Sequence, residues 1–216
     1  MYHAAMDVVV VGNAPWRWTP ETVARVARAD LLVAADGGAN HLARVGLRPD
    51  AVVGDLDSIT DGVRRWVGEG RLIPRLDQNH TDLHKALTYC VDERGVQKLT
   101  VLAATSGRLA HAVENLALLG RWAHRCEVQL VSLENLILPV ISGVQVAVTP
   151  GNDVSLMPLG RCEGVRTTGL QWELAGEPLD LSTRTSISNR ATGVEVCVTL
   201  TSGVLLLFLP APGADW

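Results

Sequence analysis

The sequence predicts an α/β protein, with an N-terminal, mostly parallel sheet flanked by helices and a small C-terminal all-β sandwich. In the first part, short runs rich in β-branched residues alternate with helical patterns. This alternation is typical of a parallel sheet that is covered on both faces. From residue 135 onward, short strand-like runs are separated by Gly, Pro, Ser and Thr, and no helical pattern of ten residues appears. The predicted domains are therefore residues 1–134 and 135–216.

The composition excludes several classes of protein. The chain has 216 residues, of which 47% are apolar and 19% charged, as expected for a globular protein. Its formal net charge is -4 and it has no dense run of Lys or Arg, so we expect no nucleic-acid partner. The four cysteines lack CxxC spacing, which argues against zinc and favours reduced thiols in a cytoplasmic protein. No apolar run is long enough to span a bilayer and no basic region precedes the first one, so we expect neither a membrane association nor a signal peptide.

The individual elements follow from local patterns. Residues 7–11 are predicted to form a buried strand. Thr19 with Pro20 marks the start of the first helix, because Thr caps helices and Pro suits their first position. The other predicted strands are Leu31–Ala35, Ala51–Gly54, 72–75, 99–103, 128–133, 136–141, 144–148, 154–159, 194–200 and 204–209. One further helix is predicted directly after the turn at residues 36–40. The other predicted helices cover Asp61–Val67, 81–91 and Leu109–Trp122.

An acidic pair follows the third predicted strand. If Gly54 to Ser58 continues the strand end, Asp55 and Asp57 point to the same side, because side chains alternate along a strand. Two adjacent carboxylates repel each other unless a cation lies between them or one keeps its proton. Oxygen ligands of this kind suit Mg²⁺, which usually takes one or two carboxylates. The alternative is a surface turn with two solvated aspartates.

Two further segments are expected at the same edge of the sheet, where ligands of open parallel sheets bind. Gly37 and Gly38 would let the backbone approach a phosphate, although the motif is neither a Walker A loop nor GxGxxG. Asp82 is a candidate third metal carboxylate and Lys85 a candidate phosphate contact, with Thr81 as the helix cap. The alternative reading is structural, since an acidic residue in the first turn stabilises any helix.

Arg108 and Trp172 complete the candidates derived from residue type. Arg108, in another strand-to-helix turn, is suited to bidentate phosphate binding, and Trp172 to stacking on a flat or cationic ring. The alternatives are a surface arginine and a tryptophan packed in a core. The remaining tryptophans are read as packing or surface residues: Trp16, Trp18, Trp66, Trp122 and Trp216.

Seven motifs, taken in order, resemble those of the thiamin pyrophosphokinases. They are DGGAN at 36–40, GDLDS at 54–58, DQNHTD at 77–82 with Lys85 following, SGRLAH at 106–111, SLMPLG at 155–160, TGLQWEL at 168–174 and SISN at 186–189. The resemblance implies a nucleotide-binding α/β domain and a β-sandwich that binds thiamin and mediates dimerisation. It also implies a homodimer whose active sites are shared between subunits.

The resemblance further implies a reaction and a set of site residues. The reaction is transfer of a pyrophosphoryl group from ATP to the hydroxyethyl oxygen of thiamin, which gives thiamin diphosphate and AMP. Asp55, Asp57 and Asp82 would hold Mg²⁺ and, with Arg108, form the catalytic set. The implied nucleotide contacts are Gly37, Gly38, Asn40, Gln78, Thr81 and Lys85. The implied thiamin contacts are Trp172, Ser188 and Asn189, which the partner subunit could provide.

Two departures from the family pattern keep other functions open. The family usually has Asp at the position of Ala110, and often has Asp at the position of Asn79. One alternative is therefore a nucleotide- or thiamin-binding protein that does not catalyse, and another is a pyrophosphokinase for a different heterocyclic alcohol. Because Asp55, Asp57 and Asp82 are present, we favour an active thiamin pyrophosphokinase.

Overall fold

The computed structural model describes residues 6–211, and the predicted alternation is present in its first half. The strands there are β1 (Val8–Val11), β2 (Leu31–Ala35), β3 (Ala51–Gly54), β4 (Leu72–Pro74), β5 (Lys98–Leu102) and β6 (Glu127–Val131). The helices are α1 (Pro20–Val26), α2 (Gly38–Arg44), α3 (Asp61–Val67), α4 (Asp82–Thr88) and α5 (Leu109–Trp122). Trp216 lies outside the described residues.

Threonine residues start three of these helices. The side chains of Thr19, Thr60 and Thr81 accept a hydrogen bond from a backbone N–H in the first turn of α1, α3 and α4, respectively. Each cap satisfies one of the N–H groups that a helix start leaves without a partner. Beyond Thr88, α4 continues as a π-helical turn, Tyr89–Glu93, before the chain enters β5.

The second half consists of strands. They are β7 (Asn135–Val140), β8 (Gly143–Ala147), β9 (Asp153–Pro158), β10 (Cys162–Thr168), β11 (Ala175–Leu179), β12 (Ser186–Arg190), β13 (Glu195–Thr199) and β14 (Leu205–Pro210). The sequence patterns do not predict β10, β11 and β12, which contain Gly, Ser, Thr and Arg in place of a regular apolar alternation. Their extended conformation is instead fixed by pairing with neighbours, with register shifts in the β10–β11 and β12–β9 pairs.

Within the described residues, one sheet runs through both halves of the molecule. Its strand order is β12-β9-β14-β7-β6-β5-β1-β2-β3-β4, and a second sheet has the order β11-β10-β13-β8. The strands from β6 to β4 pair in parallel, whereas β6 and β7 pair antiparallel, with Leu130 opposite Ile137. The fold class is thus the predicted one. The division at residues 134 and 135 stays a prediction, because the strands on either side of it are hydrogen-bonded to each other.

Alternating side chains of the large sheet pack into different cores. On β1, Val8 and Val10 join one apolar cluster, which α4 and α5 cover, whereas Val9 and Val11 join another, which α1, α2 and α3 cover. The same alternation on β14 links the two halves of the chain, since Leu206 packs in the α4–α5 cluster and Leu207 in the core of the sandwich. In residues 6–211, no helix combines the length and apolar character needed to cross a bilayer.

We predict that the two halves unfold as one cooperative unit. Leu206 and Leu207 are both fully buried, and replacing either with Ala leaves a cavity that costs about 2–5 kcal/mol. Calorimetry should therefore show a single transition that both Leu206→Ala and Leu207→Ala shift to lower temperature. Val194→Ala is the control, because Val194 is 73% exposed and should leave the transition in place. Two separate transitions, each moved by only one of the leucine variants, would contradict this prediction.

Candidate active site

Three carboxylates meet at the carboxyl ends of β2 and β3. Asp36, Asp55 and Asp57 each offer an oxygen within 4.8 Å of the others. Asp36 follows the last residue of β2, and the other two lie in the loop after β3. A donor set made only of carboxylate oxygens is the kind that Mg²⁺ prefers.

A left-handed residue brings Asp55 and Asp57 together. The sequence suggested that the two carboxylates converge through side-chain alternation along β3. The strand ends at Gly54, however, so this alternation does not bring them together. Instead, Leu56 between them has a φ of 65°, which is unusual for a branched side chain and turns the chain sharply. The Leu56 side chain is partly buried in the cluster that contains Val9 and Val11. This packing holds the loop in a conformation that an isolated peptide would avoid.

Asp36 is a site residue that the sequence reasoning missed. It is only 1% exposed, and its Oδ2 accepts a hydrogen bond of 3.0 Å from the Ser58 N–H. Its Oδ1 is buried and has no hydrogen-bond partner among the described residues. Burial raises the pKa of this carboxyl group, and the Asp82 and Asp55 charges raise it further. Its place directly after a strand, at the edge where Asp55 was expected, was a signal that could have identified it.

An unpaired, buried carboxylate oxygen beside two other carboxylates is costly for a protein. A divalent cation would supply both the missing partner for Asp36 Oδ1 and the charge that offsets the repulsion. The residues of this cluster therefore fit a magnesium site.

Asp82 and Lys85 flank this cluster from the first turn of α4. Asp82 Oδ1 accepts hydrogen bonds from the Asp55 N–H, at 3.4 Å, and from Lys85 Nζ, at 3.0 Å. Lys85 Nζ also lies 3.9 Å from Asp55 Oδ2, and its side chain is only 6% exposed. Lys85 thus provides a buried positive charge beside the acidic residues, and Asp82 connects it to the loop after β3.

The glycines of this region are explained by close packing. A Cβ on Gly54 would lie 2.7 Å from Asp36 Cβ and 2.9 Å from Asp82 Oδ1, so only glycine lets the two acidic residues flank the strand end. Gly37 and Gly38, for which phosphate contact stays a prediction, are also closely packed. Added Cβ atoms there would lie 2.2 Å from the Asn13 side chain and 2.1 Å from the Val11 carbonyl oxygen.

Asn40 fixes the loop that contains Asp57. Its Nδ2 donates to the Ser58 carbonyl oxygen at 2.8 Å, and its Oδ1 accepts from the Thr60 N–H at 3.1 Å. Both ends of the amide are thus engaged with the chain. Asn40 holds the acidic loop in place through these bonds. The direct nucleotide contact that the resemblance implied for it stays a prediction.

The remaining predicted nucleotide contacts lie around this edge of the sheet. Thr81 caps α4 through a hydrogen bond from the His84 N–H, and Gln78 is exposed in the loop that leads to it. Arg108 is exposed at the start of α5, after β5. Ala110 follows in the first turn of α5, and Asn79 donates to Asp77 Oδ1.

A second candidate site lies in the sandwich. Trp172, Glu173, Arg184, Ile187 and Asn189 are among the residues that line a cavity of about 280 Å³ there. Trp172 and Ile187 are each 60% exposed, which leaves apolar surface open beside the cavity. A tryptophan in this setting is free to stack on a ring, so it is not the core residue that was the alternative.

Asn189 and Ser188 shape this second site through the backbone. Asn189 is buried, and its Nδ2 donates to the Trp172 carbonyl oxygen at 2.7 Å while its Oδ1 accepts from the Trp172 N–H at 3.2 Å. The amide therefore clamps the turn that presents Trp172. Ser188 has a φ of 56°, and its N–H donates to Ser155 Oγ at 2.9 Å.

Unusual backbone conformations concentrate at the two sites. The described residues other than glycine that have a positive φ are Asp36, Leu56, Ala103 and Ser188. The first three follow β2, β3 and β5 at the same edge of the sheet, and the fourth lies in β12. Such conformations persist only where surrounding contacts enforce them, and they are typical of functional sites.

Comparison with known proteins assigns both halves of the chain. Residues 24–130 match the catalytic domain of thiamin pyrophosphokinase, and residues 144–205 match its vitamin B1 binding domain. Thiamine pyrophosphokinase 1 of Oryza sativa subsp. japonica is 28% identical over 238 residues, an alignment that covers 94% of this chain and 86% of the rice protein.

Solved structures support the same assignment at the level of the fold. Thiamine pyrophosphokinase from Bacillus subtilis superposes with a TM-score of 0.82 at 21% identity and covers 95% of this chain and 99% of its own. The yeast thiamin pyrophosphokinase gives a TM-score of 0.81 at 20% identity, covering 99% and 88%, respectively. The two domain matches, which occur in order and span most of the sequence, show that the chain belongs to the thiamin pyrophosphokinase family.

Proposed function

We propose that the chain is an active thiamin pyrophosphokinase, which transfers a pyrophosphoryl group from ATP to thiamin and releases AMP. The observation that supports this most strongly is the cluster of Asp36, Asp55 and Asp57 with an unpaired, buried carboxylate oxygen, beside the buried Lys85. The rival without catalysis was motivated by Ala110 and Asn79. Asp36 weakens that rival, because it supplies a third carboxylate to the cluster without either position.

The acidic cluster is the proposed magnesium site. Asp36, Asp55 and Asp57 would hold the ion, with Asp82 beside them. Bound Mg²⁺ would neutralise charge on the phosphates of ATP. Asp82 is already paired with Lys85 and with the Asp55 N–H, so its part is to orient these two groups.

The cationic side chains would hold the triphosphate and offset charge during transfer. Lys85 is held in place by its two carboxylate neighbours, whereas Arg108 is exposed and free to approach a ligand. In the reaction, the thiamin hydroxyl oxygen forms a bond to the β-phosphorus. The bond from the β-phosphorus to the oxygen that bridges it to the α-phosphorus breaks, and AMP leaves with that oxygen. The hydroxyl proton of thiamin is released. Catalysis of this kind depends mainly on positioning and electrostatics.

The cavity beside Trp172 is the proposed thiamin site. The exposed indole offers a face for the flat pyrimidine or the cationic thiazolium ring. Asn189 and Ser188 would contribute by fixing the conformation of the two segments that border the cavity. The lining also carries one carboxylate and one guanidinium group, Glu173 and Arg184, which balance each other in charge.

The sheet order supports a homodimer with shared active sites. Eight strand positions separate β12, beside the Trp172 cavity, from β3, which ends at the acidic cluster. At about 4.8 Å per strand, this corresponds to roughly 38 Å along the sheet. Transfer requires the reacting atoms to approach within about 3–3.5 Å. Thiamin held by Trp172 of one copy would therefore react at the acidic cluster of another.

We also propose a cytoplasmic location. Cys90, Cys126, Cys162 and Cys197 are all free thiols, as is usual in a reducing compartment. Burial raises the pKa of Cys90 to about 12 and that of Cys126 to about 11, so neither is a reactive thiolate near neutral pH.

Turnover should depend on Asp57. With thiamin, ATP and Mg²⁺, the wild type should produce AMP and thiamin diphosphate, and Asp57→Asn should lower the rate at least about a hundredfold with the fold intact. Asp61→Asn is the matched control, since Asp61 is an exposed residue in the first turn of α3. Saturable binding of both substrates by the wild type without AMP release would favour the non-catalytic rival. AMP release only with another heterocyclic alcohol would favour the second rival.

Asp36→Asn should make the metal-free protein more stable and should remove its stabilisation by Mg²⁺. Asparagine tolerates the left-handed backbone and can accept the Ser58 hydrogen bond, while the variant loses a buried negative charge. Without divalent ions, the melting temperature should rise by about 3 °C, because like-charge repulsion is relieved. Added Mg²⁺ should stabilise the wild type and Asp61→Asn but not Asp36→Asn. An equal response of all three proteins to Mg²⁺ would exclude Asp36 from the site.

Two inactive variants should complement each other if active sites are shared. Asp57→Asn damages the phosphate site, and Trp172→Ala damages the acceptor site. In a randomly mixed population, half of the dimers are heterodimers and each has one intact site, so activity should recover to about a quarter of the wild-type value. Native mass spectrometry would verify subunit exchange. Exchange without any recovery would show that each chain provides a complete site.

A further inference from the structure

Asn115 is a buried amide on α5, a helix whose other buried residues are apolar or glycine. Those that the structure describes are Ala112, Leu118, Leu119, Gly120 and Trp122. Asn115 is only 9% exposed, and its Nδ2 donates a hydrogen bond of 2.7 Å to the Ala104 carbonyl oxygen. A buried amide destabilises an apolar core unless it is hydrogen-bonded, so this bond allows asparagine at the position.

The Asn115 bond joins α5 to the loop after β5. This loop covers residues 103–108, between the end of β5 and the start of α5, and its last residue is Arg108. Ala103 begins the loop with a φ of 52°, a left-handed conformation that is unusual for alanine. Unlike α1, α3 and α4, helix α5 has no side-chain cap at its start. Asn115, in the second turn, instead ties the helix to the loop that precedes it.

The same loop is also packed against the loop after β1. The Ala103 carbonyl oxygen accepts a hydrogen bond of 2.9 Å from the Ala14 N–H. A Cβ on Gly107 would lie only 2.9 Å from Pro15 Cδ, and Gly107 has a φ of 81°. These contacts hold the first and the fifth residue of the loop on one side, whereas the amide bond holds the second residue on the side of α5.

The path of this loop sets the position of Arg108. Only β1 lies between β5 and β2, the strand that ends next to Asp36, which corresponds to about 10 Å across the sheet. Arg108 therefore starts from the edge of the sheet at which the acidic cluster lies. Because a displacement of about 1 Å can cost about a hundredfold in rate, a fixed loop backbone matters for an arginine that meets phosphates.

We propose that Asn115 is a positioning residue for the reaction: its amide holds the loop after β5 and thereby sets the place from which Arg108 binds the triphosphate. The inference rests on the proposed function, because it assumes the role of Arg108 given above. Since Asn115 is buried beneath the loop, its effect on turnover passes through Arg108.

A double-mutant cycle tests this dependence on Arg108. Asn115→Leu keeps a similar size and removes the hydrogen-bond donor. With ATP, thiamin and Mg²⁺, it should lower kcat/KM for ATP about tenfold alone but less than about twofold in the Arg108→Ala background. The KM for ATP should rise, while the KM for thiamin stays within about twofold of the wild-type value.

Three kinetic results would overturn the inference. They are an equal loss from Asn115→Leu in both backgrounds, an equal rise of both KM values, and wild-type kcat/KM in Arg108→Ala.

Thr100→Val is the matched control. Thr100 is 3% exposed on β5, and its Oγ1 accepts a hydrogen bond of 2.9 Å from Gln129 Nε2. The variant therefore loses a buried hydrogen bond from the strand that leads to the loop, but not from the loop itself. It should lower the melting temperature, as Asn115→Leu does, and leave both KM values unchanged. If it raised the KM for ATP as much as Asn115→Leu, lost stability would explain both effects and the inference would fail.

Limited digestion of the full-length protein with trypsin supplies a readout without turnover. Because local opening of a loop controls its cleavage, the cut between Arg108 and Leu109 should appear at least about fivefold faster in Asn115→Leu than in the wild type or Thr100→Val. Mass spectrometry should show unchanged rates at the other cleavage sites. An unchanged rate at Arg108 would refute the role of Asn115.

If Asn115→Leu does not fold, as judged by circular dichroism, Asn115→Ala takes its place in both experiments. Failure of the proposed function would appear separately, as wild-type protein that releases no AMP, whereas the digestion still reports whether Asn115 holds the loop.

Discussion

Repulsion between carboxylates is the constraint on which the edge of the sheet depends. Asp36, Asp55 and Asp57 lie within 4.8 Å of one another, and Asp36 is almost completely buried. Such a group is unfavourable in the absence of positive charge. Lys85 offsets part of it from α4, through Asp82 and Asp55. The left-handed conformations of Asp36 and Leu56 and the packing around Gly54 all serve to keep the three carboxylates together. The fold therefore holds three carboxylates close together, an arrangement that the proposed cation would stabilise.

The continuous sheet sets the second constraint. It places the acidic cluster near one end and the Trp172 cavity at the other, within a single hydrogen-bonded array. The alternation of Leu206 and Leu207 between two cores makes this array hard to bend. A hinge that closes the two sites of one chain onto each other would have to disrupt these cores. The proposed association of two copies would bring the two sites together without that cost.

The sequence predicted the parts of this molecule that depend on local patterns. The buried strands of the parallel sheet, the Thr19 cap and the Asp55–Asp57 pair could all be read from residue type and spacing. Asp36 was missed because it was treated as part of a glycine turn, and its role becomes visible only when β2 and β3 lie side by side. Strands β10, β11 and β12 were missed because pairing, and not apolar alternation, fixes them.

Roles that depend on which group a side chain contacts could also not be predicted from the sequence. Asn40 and Asn189 were expected to touch ligands, which stays a prediction, and no sequence pattern indicated that they also hold the backbone next to Asp57 and Trp172. Trp16 was read as a packing or surface residue and does pack against the core that contains Val9 and Val11, but the cavity that it lines between the loop after β1 and helix α2 could not be predicted. Hydrogen-bond donors and acceptors have several possible partners in a sequence, and only the tertiary structure selects among them.

The central claim is that Asp36, Asp55 and Asp57 together hold the divalent ion. Crystals grown with Mn²⁺ and a non-hydrolysable ATP analogue test it most directly, because manganese can be located by its anomalous scattering. The account predicts a peak bound to carboxylate oxygens of these three residues, including Asp36 Oδ1. A peak bound elsewhere, or bound to Asp55 and Asp57 with Asp36 left unpaired, would contradict it.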